Sequence, residues 1–173
     1  EVGEERFRKL FNFNPVAINV TALEDGTLID ANNAYWNLTG FDRQTSIGRT
    51  TVELKVWDKE TERQKFVSKL LKYKSLHNPN YKFFNKRGEY RVTVAFYELI
   101  DLGDKPTIMS MFYDVTEQRI AQLAMQQSEE RFRKVFQNSP VAIVITTLTD
   151  GRIIDANAAF WELSGHDPET SIG

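Results

Sequence analysis

The sequence predicts an α+β fold in which a five-stranded antiparallel sheet carries helices on one face and is followed by a linker helix. Two observations lead to this prediction. The hydrophobic pattern passes from two short strands to helices and then to three strands joined by turn signals, an order typical of an antiparallel α+β sheet. In addition, the opening segment of the chain recurs further along, so the pattern divides into units.

The repeat has a period of 125 residues. Residues 4–48 align without a gap with residues 129–173, and 28 of the 45 aligned positions are identical. Repeats that stack into solenoids have periods of roughly 20–50 residues, so this period excludes that architecture. We therefore expect one complete unit and the first third of a second, as a fragment of a longer tandem array.

The opening of the unit predicts a short helix followed by a hairpin. The apolar face of this helix is formed by Phe7, Leu10 and Phe11. The helix is expected to end before Pro15, because the residue that precedes a proline avoids the helical conformation. The β-rich stretch 16–23 then leads to Asp25-Gly26, a dipeptide typical of hairpin turns, and to a short returning strand.

The middle of the unit is helical. Asn32 can cap a short helix that Gly40 ends. Asp58 is expected to open a longer helix with an apolar stripe that includes Phe66 and Leu70, and the Asn78-Pro79 pair is expected to stop it.

The last part of the unit reads as three strands and a helix. The strands are expected at 81–85, 90–99 and 107–115, separated by turn signals. From Thr116, a suitable helix cap, a stretch without glycine or proline runs to about Gln137. The expected organisation is a complete domain at 1–117, a linker helix at 118–137 and a truncated second domain at 138–173.

Composition and charge exclude several classes of function. The net charge of −2 gives no electrostatic basis for binding nucleic acid. The chain has no cysteine, which excludes disulfides and thiolate chemistry and is compatible with a cytoplasmic location. No apolar run is long enough to span a bilayer. Catalytic triad order, a glycine-rich phosphate loop and metal-ligand spacing are also missing, so we expect no enzymatic activity in these residues.

An ordered series of motifs resembles the PAS sensor family. The series consists of PVAI, DG, IDANNAYWNLTGF, TSIGR, NKRGEYRV and finally DVTEQ, which is similar to the closing (PAC) signature of that family. The resemblance implies a PAS fold and a sensory module, cut from a signal-transduction protein such as a histidine kinase of a two-component system or a diguanylate cyclase. It also implies a downstream effector domain that receives the signal through the helix after the closing motif.

In this family the sheet and its helices enclose a small pocket, and the resemblance therefore implies a candidate ligand site. Alternating residues of the three strands, together with two residues of the long helix, are expected to line it: Phe66, Leu70, Phe83, Val92, Val94, Phe96, Ile108, Ser110 and Phe112. Such an apolar pocket suits a small apolar ligand. The alternative is that these side chains fill one another as an ordinary core, which would leave a ligand-free dimerisation and relay module.

The family resemblance also raises two cofactors. Covalent cysteinyl-flavin photochemistry is excluded because the chain has no cysteine. Non-covalent flavin beside Trp36 or Trp57 stays open, although apolar Phe83, Val92 and Phe112 occupy the positions where flavin-binding relatives carry amides. Haem could be held by His77, but a lone histidine in a polar turn is more typical of a solvated residue.

Signal coupling and association are expected at other residues. Asp114 and Thr116 of the closing motif are the candidates for passing a signal into the linker helix. The candidate interaction surface, through which we expect a homodimer, consists of Phe7, Leu10, Phe11, Met109, Met111 and Tyr113. The truncated second domain lacks the strands that would complete its sheet, so it is expected to be poorly ordered or to pair with another chain by swapping.

Overall fold

The computed structural model describes residues 2–103 and 105–173. Two compact units are present, one ending at Glu117 and one formed by Gln118–Gly173. In the described part of the first unit the elements are α1 (Val2–Phe13), β1 (Ala17–Ala22), β2 (Leu28–Ala31), α2 (Asn33–Thr39), α3 (Arg43–Ser46), α4 (Glu60–Tyr73), β3 (Ser75–Phe84), β4 (Tyr90–Leu102) and β5 (Lys105–Asp114).

The strands of the first unit form one antiparallel sheet in the order β2-β1-β5-β4-β3. Helices α2 and α4 pack on the same face of it, since Tyr35 of α2 lies 6.3 Å from Phe112 and Phe66 of α4 lies 4.8 Å from Tyr97, measured between ring centroids. Tyr97 lies directly opposite Ser110 in the neighbouring strand, and residues paired in this way share a face of the sheet. Ser110 and Phe112 are two positions apart in β5 and also share a face, so α2 and α4 contact the same side of the sheet. The predicted α+β fold is confirmed.

Asn32 connects three elements at the start of the sheet. Its side chain is completely buried, and its Oδ1 accepts hydrogen bonds from the amides of Ile18 (2.9 Å) and Tyr35 (3.0 Å). Its Nδ2 donates to the carbonyls of Val16 (2.8 Å) and Phe11 (3.1 Å). The predicted cap of α2 therefore also fixes the start of β1 and the last turn of α1.

The β1–β2 turn is held by a buried arginine of α4. Arg63 is 3% exposed and its guanidinium donates to the carbonyls of Leu23 (2.7 Å), Glu24 (3.1 Å) and Ala22 (3.3 Å). Gly26 passes so close that a Cβ atom there would lie 2.5 Å from Arg63 Nε. The turn and the long helix are consequently fixed against each other.

Helix α4 ends earlier than the sequence indicated. Lys74 adopts φ +67° and its amide donates to the carbonyl of Leu70 (2.7 Å), which closes the helix after Tyr73. The expectation that Asn78-Pro79 stops the helix is wrong, because both residues lie inside β3. A proline is tolerated there since β3 is an edge strand and its pairing is irregular between Asn78 and Tyr81.

The second unit contains α5 (Thr116–Asn138) for most of its length, then β6 (Val144–Thr146), β7 (Ile153–Ala156), α6 (Ala158–Ser164) and α7 (Pro168–Ser171). Its two strands pair with each other. Asn157 repeats the bonding of Asn32, accepting from the amides of Ile143 (2.9 Å) and Phe160 (3.1 Å) and donating to the carbonyl of Val141 (2.8 Å). The pairing of this second unit with another chain remains a prediction.

Residues 2–103 and 105–173 lack two features. No helix in these ranges combines the length and the apolar character needed to cross a bilayer. The same ranges hold no group of three or more histidine, aspartate or glutamate side chains placed to bind a metal ion.

Replacing Gly26 by alanine is expected to destabilise the first unit by about 2–5 kcal/mol, from the strain of a positive φ and the clash with the fixed Arg63 side chain. Gly48 is the matched control: its φ is +84°, and a Cβ there would meet nothing within 4 Å in the described residues. Gly48→Ala should cost only about 1–2 kcal/mol. Urea unfolding measures both; equal losses would contradict the packing of Arg63 against the turn.

Candidate functional site

A cavity of about 410 Å³ lies between the sheet and the α2 side of the first unit. Its volume falls in the range of about 300–1,000 Å³ that is usual for small-molecule sites. The residues that line it are mainly aromatic and aliphatic, with polar groups at both ends: Asn19, Tyr35, Leu38, Thr39, Phe41, Leu54, Lys55, Val56, Tyr81, Phe83, Phe84, Asn85, Lys86, Gly88 and Phe112.

The inner end of this cavity is polar and buried. Asn19 of β1 is 6% exposed, and its Oδ1 is buried without a hydrogen-bond partner in the described part of the chain. Burial raises the pKa of Tyr35 to about 12, and the neighbouring Asn19 side chain opposes this rise only in part. Burial also raises the pKa of Tyr81. Both phenols are therefore neutral donors and acceptors at physiological pH.

The outer end of the cavity is exposed and basic. Lys55 and Lys86 are both solvent-exposed, and Lys86 Nζ lies 5.1 Å from the centroid of the Phe41 ring. Lys55 has a φ of +59°, a conformation that side-chain-bearing residues adopt at a cost in free energy. No aspartate or glutamate is among the described residues that line this cavity.

A smaller cavity of about 50 Å³ adjoins the first and shares Asn19, Val56, Tyr81 and Phe112 with it. Phe66 of α4 covers this smaller space, and its ring lies 5.2 Å from Trp57 and 4.8 Å from Tyr97 between centroids. A space of this size is suited to one buried water rather than to a ligand.

The predicted pocket residues divide into three groups. Phe83 and Phe112 line the larger cavity, while Phe66, Ile108, Ser110 and again Phe112 line the smaller one. Leu70 of α4 is completely buried and is not among the described lining of either cavity. The alternative, in which these side chains fill the interior of a ligand-free module, stays a prediction beside the ligand site.

The third group, Val92, Val94 and Phe96, was expected on the wrong face. In the β4–β5 pairing Val94 lies opposite Tyr113 and Phe96 lies opposite Met111, so they face away from the cavity. Alternation correctly groups the three residues, but period-2 patterns do not say which face is inward. The inward residues of β4 are Thr93, Ala95 and Tyr97.

His77 lies on the same outward face. It pairs directly with Phe96, the two rings stack at 4.6 Å, and the side chain is solvent-exposed. The expected position at the end of the long helix is wrong, and with it the hypothesis that His77 holds a haem inside the pocket. Trp57 reaches only the smaller cavity, and Trp36 packs edge-on against Tyr35 at 5.3 Å.

Several cavity residues were missed by the sequence analysis. Asn19 is a polar residue within an apolar strand, in phase with Ala17 and Thr21, and that phase was the signal that could have identified it. Lys55 and Lys86 belong to loops whose path no periodic pattern specifies. Tyr35 was recognised as a helix residue, although not as a cavity wall.

Asp114 and Thr116 form a hydrogen-bonded junction where β5 passes into α5. Asp114 Oδ1 accepts from the Thr116 amide (3.0 Å) and from its hydroxyl. The buried Thr116 Oγ1 in turn accepts from the Val92 amide (2.9 Å). Thr116 was expected as the helix cap; instead its hydroxyl binds β4, and the carboxylate of Asp114 supplies the acceptor for the first turn.

A chain of polar contacts connects this junction with the cavity. Arg91 donates to Asp114 Oδ2 (3.3 Å) and to Glu89 Oε2 (2.6 Å). The same Glu89 oxygen accepts from Nδ2 of Asn85 (2.7 Å), which lines the cavity. These bonds from Arg91 and Asn85, with one from Arg87, lower the pKa of Glu89 to about 2.

The candidate interaction residues lie at two places. On α1, Phe7 and Leu10 are 63% and 75% exposed, and the Phe7 ring stacks on Phe11 at 5.9 Å. Met109, Met111 and Tyr113 lie on the sheet face opposite the cavity, as expected from the alternation of β5. Whether either surface forms a dimer stays a prediction.

An antiparallel sheet that holds a small cavity under flanking helices, and continues from its last strand into a helix, defines a class of sensory modules. A family model described as a PAS domain matches residues 5–71 and 130–173, which together make up more than half of the chain. The chain therefore belongs to the PAS domain family, as the motif series predicted, while the closing (PAC) signature at residues 114–118 stays a prediction. Members of this family are in general non-catalytic sensor modules of signal-transduction proteins.

Sequence similarity to a curated protein covers a shorter stretch. The chain is 49% identical to Sporulation kinase E of Bacillus subtilis (strain 168) over 49 residues, which is 28% of this chain and 6% of that protein. The chain thus spans a small fraction of the length of this relative.

Solved structures share the fold at low sequence identity. An RNA-binding Light-Oxygen-Voltage receptor matches with a TM-score of 0.55 at 20% identity, over 76% of this chain and 38% of that one. A PAS domain from Colwellia psychrerythraea matches with a TM-score of 0.55 at 21% identity, over 68% and 99%. The PAS domain of BvgS from Bordetella pertussis gives 0.52 at 18% identity, over 76% and 99%.

Because the pKa of Tyr35 is raised, ionisation of this residue should destabilise the fold at alkaline pH. An unfolded tyrosine loses its proton near about pH 10, whereas folded Tyr35 keeps it to about 12. The contribution of Tyr35 to stability is fully present below pH 10. It then falls by an amount on the order of 2–3 kcal/mol as the pH rises to 12.

Urea unfolding between pH 9 and 12 measures this loss. Tyr35→Phe should make the decline less steep, with the buried Tyr81 still contributing to it, whereas the exposed Tyr73→Phe should leave it as in the wild type. If Tyr35→Phe follows the wild-type curve throughout, Tyr35 is not the buried phenol described above.

Proposed function

We propose that the first unit is a ligand-sensing PAS module that binds a small, mainly apolar molecule in the larger cavity. Binding shifts the sheet and passes through Asp114 and Thr116 into α5, and from there to an effector domain of a longer parent protein. The observation that supports ligand binding over a ligand-free relay is the cavity of about 410 Å³, which lies between the sheet and α2 and is lined mainly by apolar side chains.

The size and lining of the cavity support this role. Protein interiors pack to the density of organic crystals, and empty spaces much larger than a water molecule are few. An apolar cavity of this volume costs stability when empty, since each lining atom lacks contacts that a ligand would provide. A molecule bound in this space would therefore stabilise the fold.

The route of the signal is the second part of the proposal. Asn85 borders the cavity and reaches Thr116 through Glu89, Arg91 and Asp114, with each step a hydrogen bond or ion pair. A ligand that moves Asn85 would change the bonds available to Glu89 and hence to Arg91. Contiguity alone does not establish coupling, so the route needs a test by mutation.

A ligand-free dimerisation and relay module is the second candidate function. The exposed apolar side chains of α1 and α5 favour this candidate, because large apolar side chains grouped on a surface usually mark a site of interaction with another protein. The most exposed are Phe7, Leu10, Phe13, Ile120, Leu123, Met125, Phe132 and Val135. Association through these helices and sensing in the cavity can also occur in the same protein.

The match to part of Sporulation kinase E supports a sensor kinase as the parent protein, and a diguanylate cyclase is the alternative that the family also allows. In either case the catalytic output would come from residues outside this chain, and the tandem repeat would place a second sensor unit between the first unit and that output.

Filling the cavity tests the ligand function. Val56 lines both cavities, and Val56→Trp should occupy the space and hold the output of the parent protein at one level, independent of the natural stimulus. Val94→Trp adds the same side chain to the outward face and is the control. Native mass spectrometry should also show any copurified small molecule in the wild type and lose it in Val56→Trp. A Val56→Trp protein that responds normally would contradict ligand sensing.

Asp114 variants test the relay. Asp114→Ala removes the acceptor of the Thr116 amide, and loss of such a cap costs about 0.5–2 kcal/mol, so the domain should still fold. The Thr116 amide should then exchange its hydrogen faster, and the parent protein should lose its response while ligand binding persists. Asp114→Asn keeps an acceptor oxygen but weakens the attraction to Arg91. Its response should therefore lie between those of the wild type and Asp114→Ala. An intact response in Asp114→Ala would refute this route.

A further inference from the structure

The lining of the larger cavity indicates the chemical class of its ligand. The inference below rests on the ligand-binding function proposed above. We propose that the cavity takes a small aromatic carboxylate whose ring system bears a hydrogen-bond donor, with the donor at the buried end and the carboxylate at the exposed end. Three separate features of the cavity wall lead to this chemistry.

Asn19 favours a donor at the buried end of the ligand. Its Oδ1 is buried, borders both cavities and has no partner in residues 2–103 and 105–173. A buried acceptor without a partner costs about 1–3 kcal/mol, which a ligand N–H or O–H would recover. An ether, a carbonyl or a hydrocarbon at the same point would offer Asn19 no hydrogen and would gain nothing from it. The buried end of the ligand therefore carries a donor.

The aromatic body follows from the middle of the cavity. The walls are ring faces and edges from different elements, namely Tyr35, Phe41, Tyr81, Phe83 and Phe112. Tyr81 and Phe112 lie 6.0 Å apart between centroids, and Tyr35 and Phe112 lie 6.3 Å apart, so a planar ligand would meet aromatic neighbours on more than one side. Offset and edge-to-face contacts favour an aromatic ring over a flexible chain of equal area.

The carboxylate follows from the exposed end. Lys55 and Lys86 are the charged residues found among the described lining, and both carry the same sign. Lys86 Nζ is held near the Phe41 ring, at the wall of the cavity. The left-handed backbone of Lys55 places a flexible cation at a strained position, which is a feature typical of functional sites. An anion at this end would be attracted by both lysines and would remain partly hydrated.

Three probes separate these requirements. Indole-3-acetate has the ring, the N–H donor and the carboxylate; 1-naphthylacetate lacks the donor, and 3-methylindole lacks the carboxylate. Calorimetric titration of the 173-residue chain should show that indole-3-acetate binds about threefold to tenfold more tightly than either of the others. Raising the salt concentration should weaken indole-3-acetate and leave 3-methylindole unchanged.

Variants assign each preference to its residue. Lys55→Gln and Lys86→Gln should each reduce the preference for indole-3-acetate over 3-methylindole, and Lys65→Gln, a lysine of α4 outside the cavity lining, should preserve it. Asn19→Leu should remove the preference for indole-3-acetate over 1-naphthylacetate. Because an apolar side chain of similar size can replace an unsatisfied polar one at little cost, this variant should fold; the comparison of probes in the wild type does not depend on it.

The outcomes distinguish two kinds of failure. If all three probes bind with equal affinity, the aromatic-carboxylate class is wrong and the ligand-binding function stands. If indole-3-acetate is preferred but both lysine variants keep the preference, the carboxylate does not bind at the exposed end of the cavity, and the inference also fails. If none of the probes binds at millimolar concentration, the inference is overturned, and the proposed ligand-binding function is then decided by the Val56→Trp experiment.

Discussion

The architecture of the first unit depends on one buried side chain, Asn32. With its amide completely buried it must satisfy both a donor and an acceptor, and it does so with groups from α1, β1 and α2. Each such bond contributes only about 0.5–1.5 kcal/mol net, but a buried amide left unsatisfied would cost more. The geometry of the three elements is consequently specified together. In the second unit Asn157 repeats the bonds to the strand segment and to the following helix.

The position of Asn32 has a direct effect on the cavity. By capping α2 it sets the angle at which Tyr35 and Leu38 approach the sheet, and both side chains form cavity wall. On the far side, Arg63 fixes α4 to the β1–β2 turn, and the described lining of the larger cavity includes no residue of α4. Two polar anchors, Asn32 and Arg63, therefore contribute to the positions of the two helices that flank the sheet. Such a device gives a sensor a stable frame around a site that can be occupied or empty.

Sequence reasoning was accurate where a pattern had a local physical cause. The hairpin at Asp25-Gly26, the cap at Asn32 and the left-handed Gly40 each depend on neighbouring residues, and all three are present. The inward face of β4 could not be predicted, because Val92, Val94 and Phe96 are more apolar than the Thr93, Ala95 and Tyr97 that face the cavity. A site wall with polar and aromatic residues reverses the usual rule that the more apolar face is buried. The end of α4 was missed for a related reason: Pro79 lies in an edge strand, where it breaks nothing.

The central claim is that the fold leaves an apolar space among Leu38, Phe83 and Phe112 which a small molecule can occupy. Xenon provides the most direct measurement, since it binds apolar cavities without any specific polar contact. A crystal of the 173-residue chain under xenon pressure should show electron density for the gas between these three side chains, with their positions little changed. A structure in which Phe112 or Tyr81 has turned into the space, and no xenon is bound there, would contradict the account.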